Sequence, residues 1–139
     1  MRIFPNSLLR SATLILVAFL FIAAGVTHFT NPDFFLEIVP PYLPAPLLLV
    51  YVSGVFEILG GLGVLVPRYR RLAGFGLLLL LVAVFPANIY MALNPEQFPE
   101  ASLTALYTRL PLQFLFAWLV WFAACSEQSQ SFPPKQNTS

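Results

Sequence analysis

Charged side chains make up only 9% of this 139-residue chain and sum to a formal +1, so no basic surface is available to hold a nucleic acid. A single cysteine, Cys125, excludes an internal disulfide, and at the edge of an apolar stretch it reads as an inert thiol. No Walker, GxGxxG, HExxH or CxxC pattern occurs anywhere, so neither a metal set nor a cofactor-binding motif is evident. An enzyme proper is the least supported class.

What the chain has instead is hydrocarbon. Hydrophobic residues make up 58% of it, and the mean hydropathy is +0.79, far from the usual soluble mixture. Four apolar stretches, about Leu8 to His28, Leu47 to Val66, Leu72 to Leu93 and Leu103 to Ala124, are each long enough as helices to cross about 30 Å of hydrocarbon. The expected fold is all-α: a four-helix transmembrane bundle over residues 1–125, with a disordered Ser-, Gln- and Pro-rich tail over 126–139. Ala23, Ala24 and Gly25 follow Arg2 and Arg10 as a signal peptide would require, but the apolar stretch runs on to His28 without a clean A-x-A site, so the first span reads as retained.

Basic residues set the expected orientation. Arg2, Arg10, Arg68, Arg70, Arg71 and Lys135 flank one side, whereas the opposite loops carry Asp33, Glu37, Glu96 and Glu100. The positive-inside rule then places both termini in the cytoplasm of a cell with the protein in its inner or plasma membrane. Trp118 and Trp121 suit an interfacial aromatic belt. The first external loop contains Pro32-Asp33-Phe34-Phe35-Leu36-Glu37-Ile38. Asn31 is placed to cap a short amphipathic helix there, with Pro32 at its first position. Such a helix could roof the bundle or rest in the interface.

One carboxylate interrupts the second span. Glu57 lies ten residues into the otherwise uncharged run from Leu47 to Val66, where a charge costs about 3 kcal/mol on insertion scales and so points into protein, pairs, or takes a proton. Ser53, Gly60 and Gly61 share its face, where a second helix can approach closely. Helical rise places Glu57 about 15 Å below the external boundary, Arg109 about 9 Å, Asn88 about 8 Å and His28 near it. The expected site is therefore a polar cluster of Glu57, Arg109, Asn88, Gln113, His28 and Tyr90, built round an Arg109–Glu57 ion pair. Phe56, Phe85 and Tyr90 are its expected aromatic lining. Pro86 and Pro111 are expected kink sites in the third and fourth spans. Each polar group also has a plainer role. Arg109 can snorkel to headgroups, Asn88 and Gln113 can hold helices together, His28 can bond loop backbone, and Glu57 can fix register.

His28-Phe29-Thr30-Asn31-Pro32-Asp33-Phe34-Phe35, Ile38-Val39-Pro40-Pro41-Tyr42-Leu43-Pro44, Ser53-Gly54-Val55-Phe56-Glu57, Pro86-Ala87-Asn88-Ile89-Tyr90-Met91 and Arg109-Leu110-Pro111-Leu112-Gln113 together resemble the DoxX-like family of small four-helix membrane proteins, over roughly Leu8 to Phe122. The resemblance implies a bundle with polar groups gathered in its outer half. Some members of that family look like subunits of thiosulfate:quinone oxidoreductase, others accompany membrane redox complexes, and animal members resemble assembly chaperones for ion channels. Two functions follow as expectations. One is a binding site for a small amphipathic ligand such as a quinone or lipid-derived compound, linked to membrane redox metabolism. The other is a non-catalytic accessory or assembly subunit, its partners being membrane lipids, a second membrane protein or further copies of itself.

Overall fold

The computed structural model describes Pro5 and residues 7–126; Arg2, Lys135 and the expected disordered tail beyond Ser126 lie outside the described residues. Five α-helices follow one another: α1 (Leu8–Thr30), α2 (Pro32–Ile38), α3 (Pro46–Leu65), α4 (Arg70–Leu93) and α5 (Leu103–Val120). A 3-10 turn, Pro95–Gln97, separates α4 from α5, and a π-helical turn, Trp121–Cys125, extends α5. No strand occurs among the described residues. α1, α3, α4 and α5 with its π turn are long and apolar enough to cross a membrane, since 20 to 24 residues rise about 30 to 36 Å.

Local chemistry sets the helix ends. Pro46 opens α3, and Ala45 before it takes the left-handed conformation, φ 49°. The Ser102 hydroxyl accepts the Ala105 N–H at 3.1 Å and caps α5. Pro32 occupies the first turn of α2, but Asn31 does not cap it. With φ −140° its side chain makes no capping bond, and its N–H instead donates to the Thr27 carbonyl and closes α1. Pro86 and Pro111 both lie inside unbroken helices.

The four long helices are arranged in the order α1, α3, α4, α5, with the π turn returning to α1 and α2 lying over α1, α3 and α4. Two apolar clusters hold them. The larger joins Leu14, Val17 and Phe21 of α1 to Val64, Leu77, Val120 and Ala123. The smaller, at the α2 end, joins Met91, Phe98 and Leu106. Arg10 closes the ring at the first end by donating to the carbonyls of Ala123, at 3.2 Å, and Ser126.

Close backbone approach fixes the registers. A Cβ at Gly25 would lie 2.7 Å from the Gly54 carbonyl oxygen, and one at Gly61 would lie 3.0 Å from the Ala18 carbonyl oxygen, so α1 and α3 cross backbone to backbone as small residues permit. Gly60 rests against Leu77 and Gly63 against Ala73, which sets α3 on α4.

Candidate functional site

The Gly25–Gly54 crossing determines what meets on the facing helix: the Gly54 Cβ position lies 2.7 Å from the His28 Cβ, so His28 is level with Gly54, one turn before Glu57 along α3. α1 and α3 run in opposite senses and side chains lean toward the N-terminus of their own helix, so the His28 and Glu57 side chains converge. His28 Nδ1 lies 3.2 Å from Glu57 Oε2. The same nitrogen lies 2.9 Å from the Ala24 carbonyl oxygen. One N–H cannot serve both oxygens well, and it is directed to Ala24, which leaves Glu57 Oε2 buried without a hydrogen-bond partner among the described residues. With the proton on Nδ1, a neutral ring carries its lone pair on Nε2. Phe35 of α2 stacks on the imidazole, with centroids 3.7 Å apart and planes at 21°.

Beside this pair lies a cavity of about 630 Å³, within the range of small-molecule sites. α2 and the segment after it cover one end, and α3 and α4 form the long walls. Its polar contributors are His28, Ser53, Glu57, Asn88 and Arg109; the remaining lining is apolar. Along α4 it extends from Gly76 to Asn88, a rise of about 18 Å. Phe56 and Leu79, 57% and 71% exposed, border its open side.

The sequence family described as domain of unknown function DUF8561 matches residues 17–124, which include the cavity and the greater part of all four long helices. This chain belongs to the DUF8561 family. No curated protein and no solved structure matches it.

Within this DUF8561 domain the expected site residues divide into three groups. Glu57, His28, Asn88 and Arg109 share the cavity. Gln113 stands behind it, accepting from Asn88 Nδ2 at 2.6 Å and donating to the Leu81 carbonyl. Tyr90 is elsewhere: its hydroxyl donates to Gln97 Oε1 at 2.5 Å, and its ring meets Phe98 edge-on, so it anchors the α4–α5 connection. Phe85 also turns away, packing edge-on against Phe114, so of the three expected aromatics only Phe56 lines the cavity.

The expected Arg109–Glu57 ion pair does not form; Glu57 pairs with His28, and Arg109 has neither an ion-pair nor a hydrogen-bond partner among the described residues. Gly60 against Leu77 sets Glu57 level with about residue 80 of α4, while Gly74 against Ala124 sets Arg109 level with about residue 89. That is about 14 Å along the axis. Both side chains also lean toward the N-termini of helices that run in the same sense, so the lean of Glu57 does not bring Arg109 to it. Sequence reasoning missed Phe35 as the cover of His28, and Gly76 as a cavity wall. The small residues Gly25 and Gly54 on the faces of His28 and Glu57 were the available signal that these two helices approach closely there.

Gln113 is 8% exposed, and its amide accepts from Asn88 and donates to the Leu81 carbonyl on α4. Gln113→Leu keeps the volume but orphans the Asn88 amide and frees the Leu81 carbonyl. It is expected to lower stability by about 1–3 kcal/mol, read as a fall in the thermal unfolding midpoint in detergent.

Proposed function

We propose that this DUF8561 protein is a DoxX-like membrane-embedded binding module for a small amphipathic molecule of the quinone class, tied to membrane redox metabolism. The observation that carries the reading is the cavity itself, which holds a buried carboxylate oxygen with no hydrogen-bond partner among the described residues at one station and a guanidinium with none among them at the other. Leaving such groups unpaired in a low-dielectric site is costly. A ligand that donates to Glu57 and accepts from Arg109 would satisfy both; the stations lie further apart than the two oxygens of one ring, so a ring in its hydroxyl-bearing form donates to Glu57 and a further acceptor group of the ligand meets Arg109. The polar part occupies the stretch between Glu57 and Arg109, with Ser53 and Asn88 beside it and α2 as the cover.

In this reading the bundle is N-in and C-in in the plasma membrane. Arg10, Arg68, Arg70 and Arg71 gather at one end, and Asp33, Glu37, Glu96 and Glu100 belong to the loops at the other, which supports an external position for α2. The amphipathic ligand then enters from the outer half of the bilayer.

Native mass spectrometry of the gently solubilised protein beside Glu57→Gln tests the proposal. The expected result is a small molecule that leaves with the wild type and is missing from an equally folded variant. A second polypeptide retained by both, with no small molecule in either, would overturn it in favour of an accessory or assembly subunit.

A further inference from the structure

Seven glycines occur in the chain, and helix packing explains six of them. A Cβ at Gly25, Gly54, Gly60, Gly61, Gly63 or Gly74 would come within 2.7 Å of a neighbouring atom. Gly76 is the exception: a Cβ there would meet nothing within 4 Å. Glycine in a helix interior is disfavoured by its backbone entropy, so a position with room for any side chain has no packing reason to be empty. Gly76 does, however, line the cavity.

Its level in the bundle gives the emptiness a use. Leu77 against Gly60 places Gly76 opposite Gly61, one turn, about 6 Å, beyond Glu57 on the side away from α2. Between Glu57 and Gly76 the cavity wall is apolar throughout, with Leu79 and Leu80 around it. All the polar groups lie at Glu57 or toward α2. The cavity therefore has a polar part and an apolar floor, and among its lining residues Phe56 and Leu79 are largely exposed.

We propose that the ligand carries a hydrocarbon tail that leaves the cavity across Gly76, between Phe56 and Leu79, and that Gly76 is the specificity-determining residue admitting that tail. The inference rests on the proposed binding of an amphipathic molecule with its polar part on the α2 side of Glu57. A second helix from another copy is the competing occupant, and the surroundings of Gly76 oppose it. Four residues to either side stand Leu72 and Leu80, so no small-xxx-small surface exists. Leu72 and Leu79, 73% and 71% exposed, project next to the glycine and hold another backbone away.

Two probes test this in detergent micelles by calorimetric titration: a dimethoxy-methyl-benzoquinone without a tail, and the same ring bearing a decyl tail. Each is titrated into the wild type, Gly76→Leu and Gly76→Phe. Open space around the Cβ lets both variants fold, and because all three proteins sit in the same micelles, partitioning of the tail cancels in the comparison. The expected result is a ratio of tailed to tail-less affinity that falls tenfold or more in Gly76→Phe and by less in Gly76→Leu. An unchanged tail preference in the variants overturns the role of Gly76 while leaving the binding site standing. Failure of the wild type to bind either probe overturns the site and the tail path together. A change in oligomeric mass on Gly76→Phe, with tail preference intact, assigns Gly76 to a contact between copies instead.

Discussion

Gly54→Val is expected to lower stability by about 3 kcal/mol. Its Cβ would lie 2.7 Å from the His28 Cβ, 2.8 Å from a Phe29 ring carbon and 3.0 Å from the Gly25 carbonyl oxygen. The first two are held by the crossing itself and the third is backbone, so no rotamer change relieves the overlap and α1 must move off α3. The movement also separates His28 from Glu57. Two measurements check it together: denaturant titration in mixed micelles for the stability, and loss of the bound small molecule for the site. Gly76→Val, a chemically identical change in open space, is the control and should remain within about 0.5 kcal/mol of the wild type.

Glu57→Leu should move stability the other way, up by about 1–3 kcal/mol, while abolishing binding. His28 does not depend on the acid, because its Nδ1–H is already given to the Ala24 carbonyl. Removing the carboxylate therefore orphans nothing and eliminates a buried oxygen that has no hydrogen-bond partner. A gain in stability on losing Glu57 would support the proposed binding role, since such trade-offs are expected at functional sites. A register device behaves in the opposite manner, and a fall in the unfolding midpoint of Glu57→Leu would assign Glu57 to structure.

The four long helices were legible because membrane crossing depends on length and composition, and both can be read along one chain. Glu57 was legible for the same reason, as a charge where hydrocarbon expects none. The partner of Glu57 was not. Depths counted from helix ends assume that all helices stop at one plane, and on that count Arg109 lay within reach. The registers are set by which glycine meets which neighbour: Gly54 against His28 lets the His28 and Glu57 side chains converge, and Gly60 on Leu77 together with Gly74 on Ala124 holds Arg109 away from them. Such pairings involve two surfaces at once, and a hydropathy pattern reports on one. Tyr90 was misplaced for a related reason, since its neighbour Gln97 belongs to a turn whose path no periodicity describes. Pro32 announced α2 correctly, whereas Asn31 was assigned the wrong helix: its backbone finishes α1 before its side chain can begin α2.

The clasp of Arg10 on the carbonyls of Ala123 and Ser126 spans 113 and 116 residues of chain. A protein made from its N-terminus presents that guanidinium long before either acceptor has been synthesised, so during biogenesis the first helix must wait, with its cation solvated at the membrane surface, for the last. The ring therefore closes late, and until it does the cavity walls belong to an open arc. A chain stopped short of Ser126 would have all its spans in place but keep only one of the two acceptors, the Ala123 carbonyl, that fasten the first of them to the last.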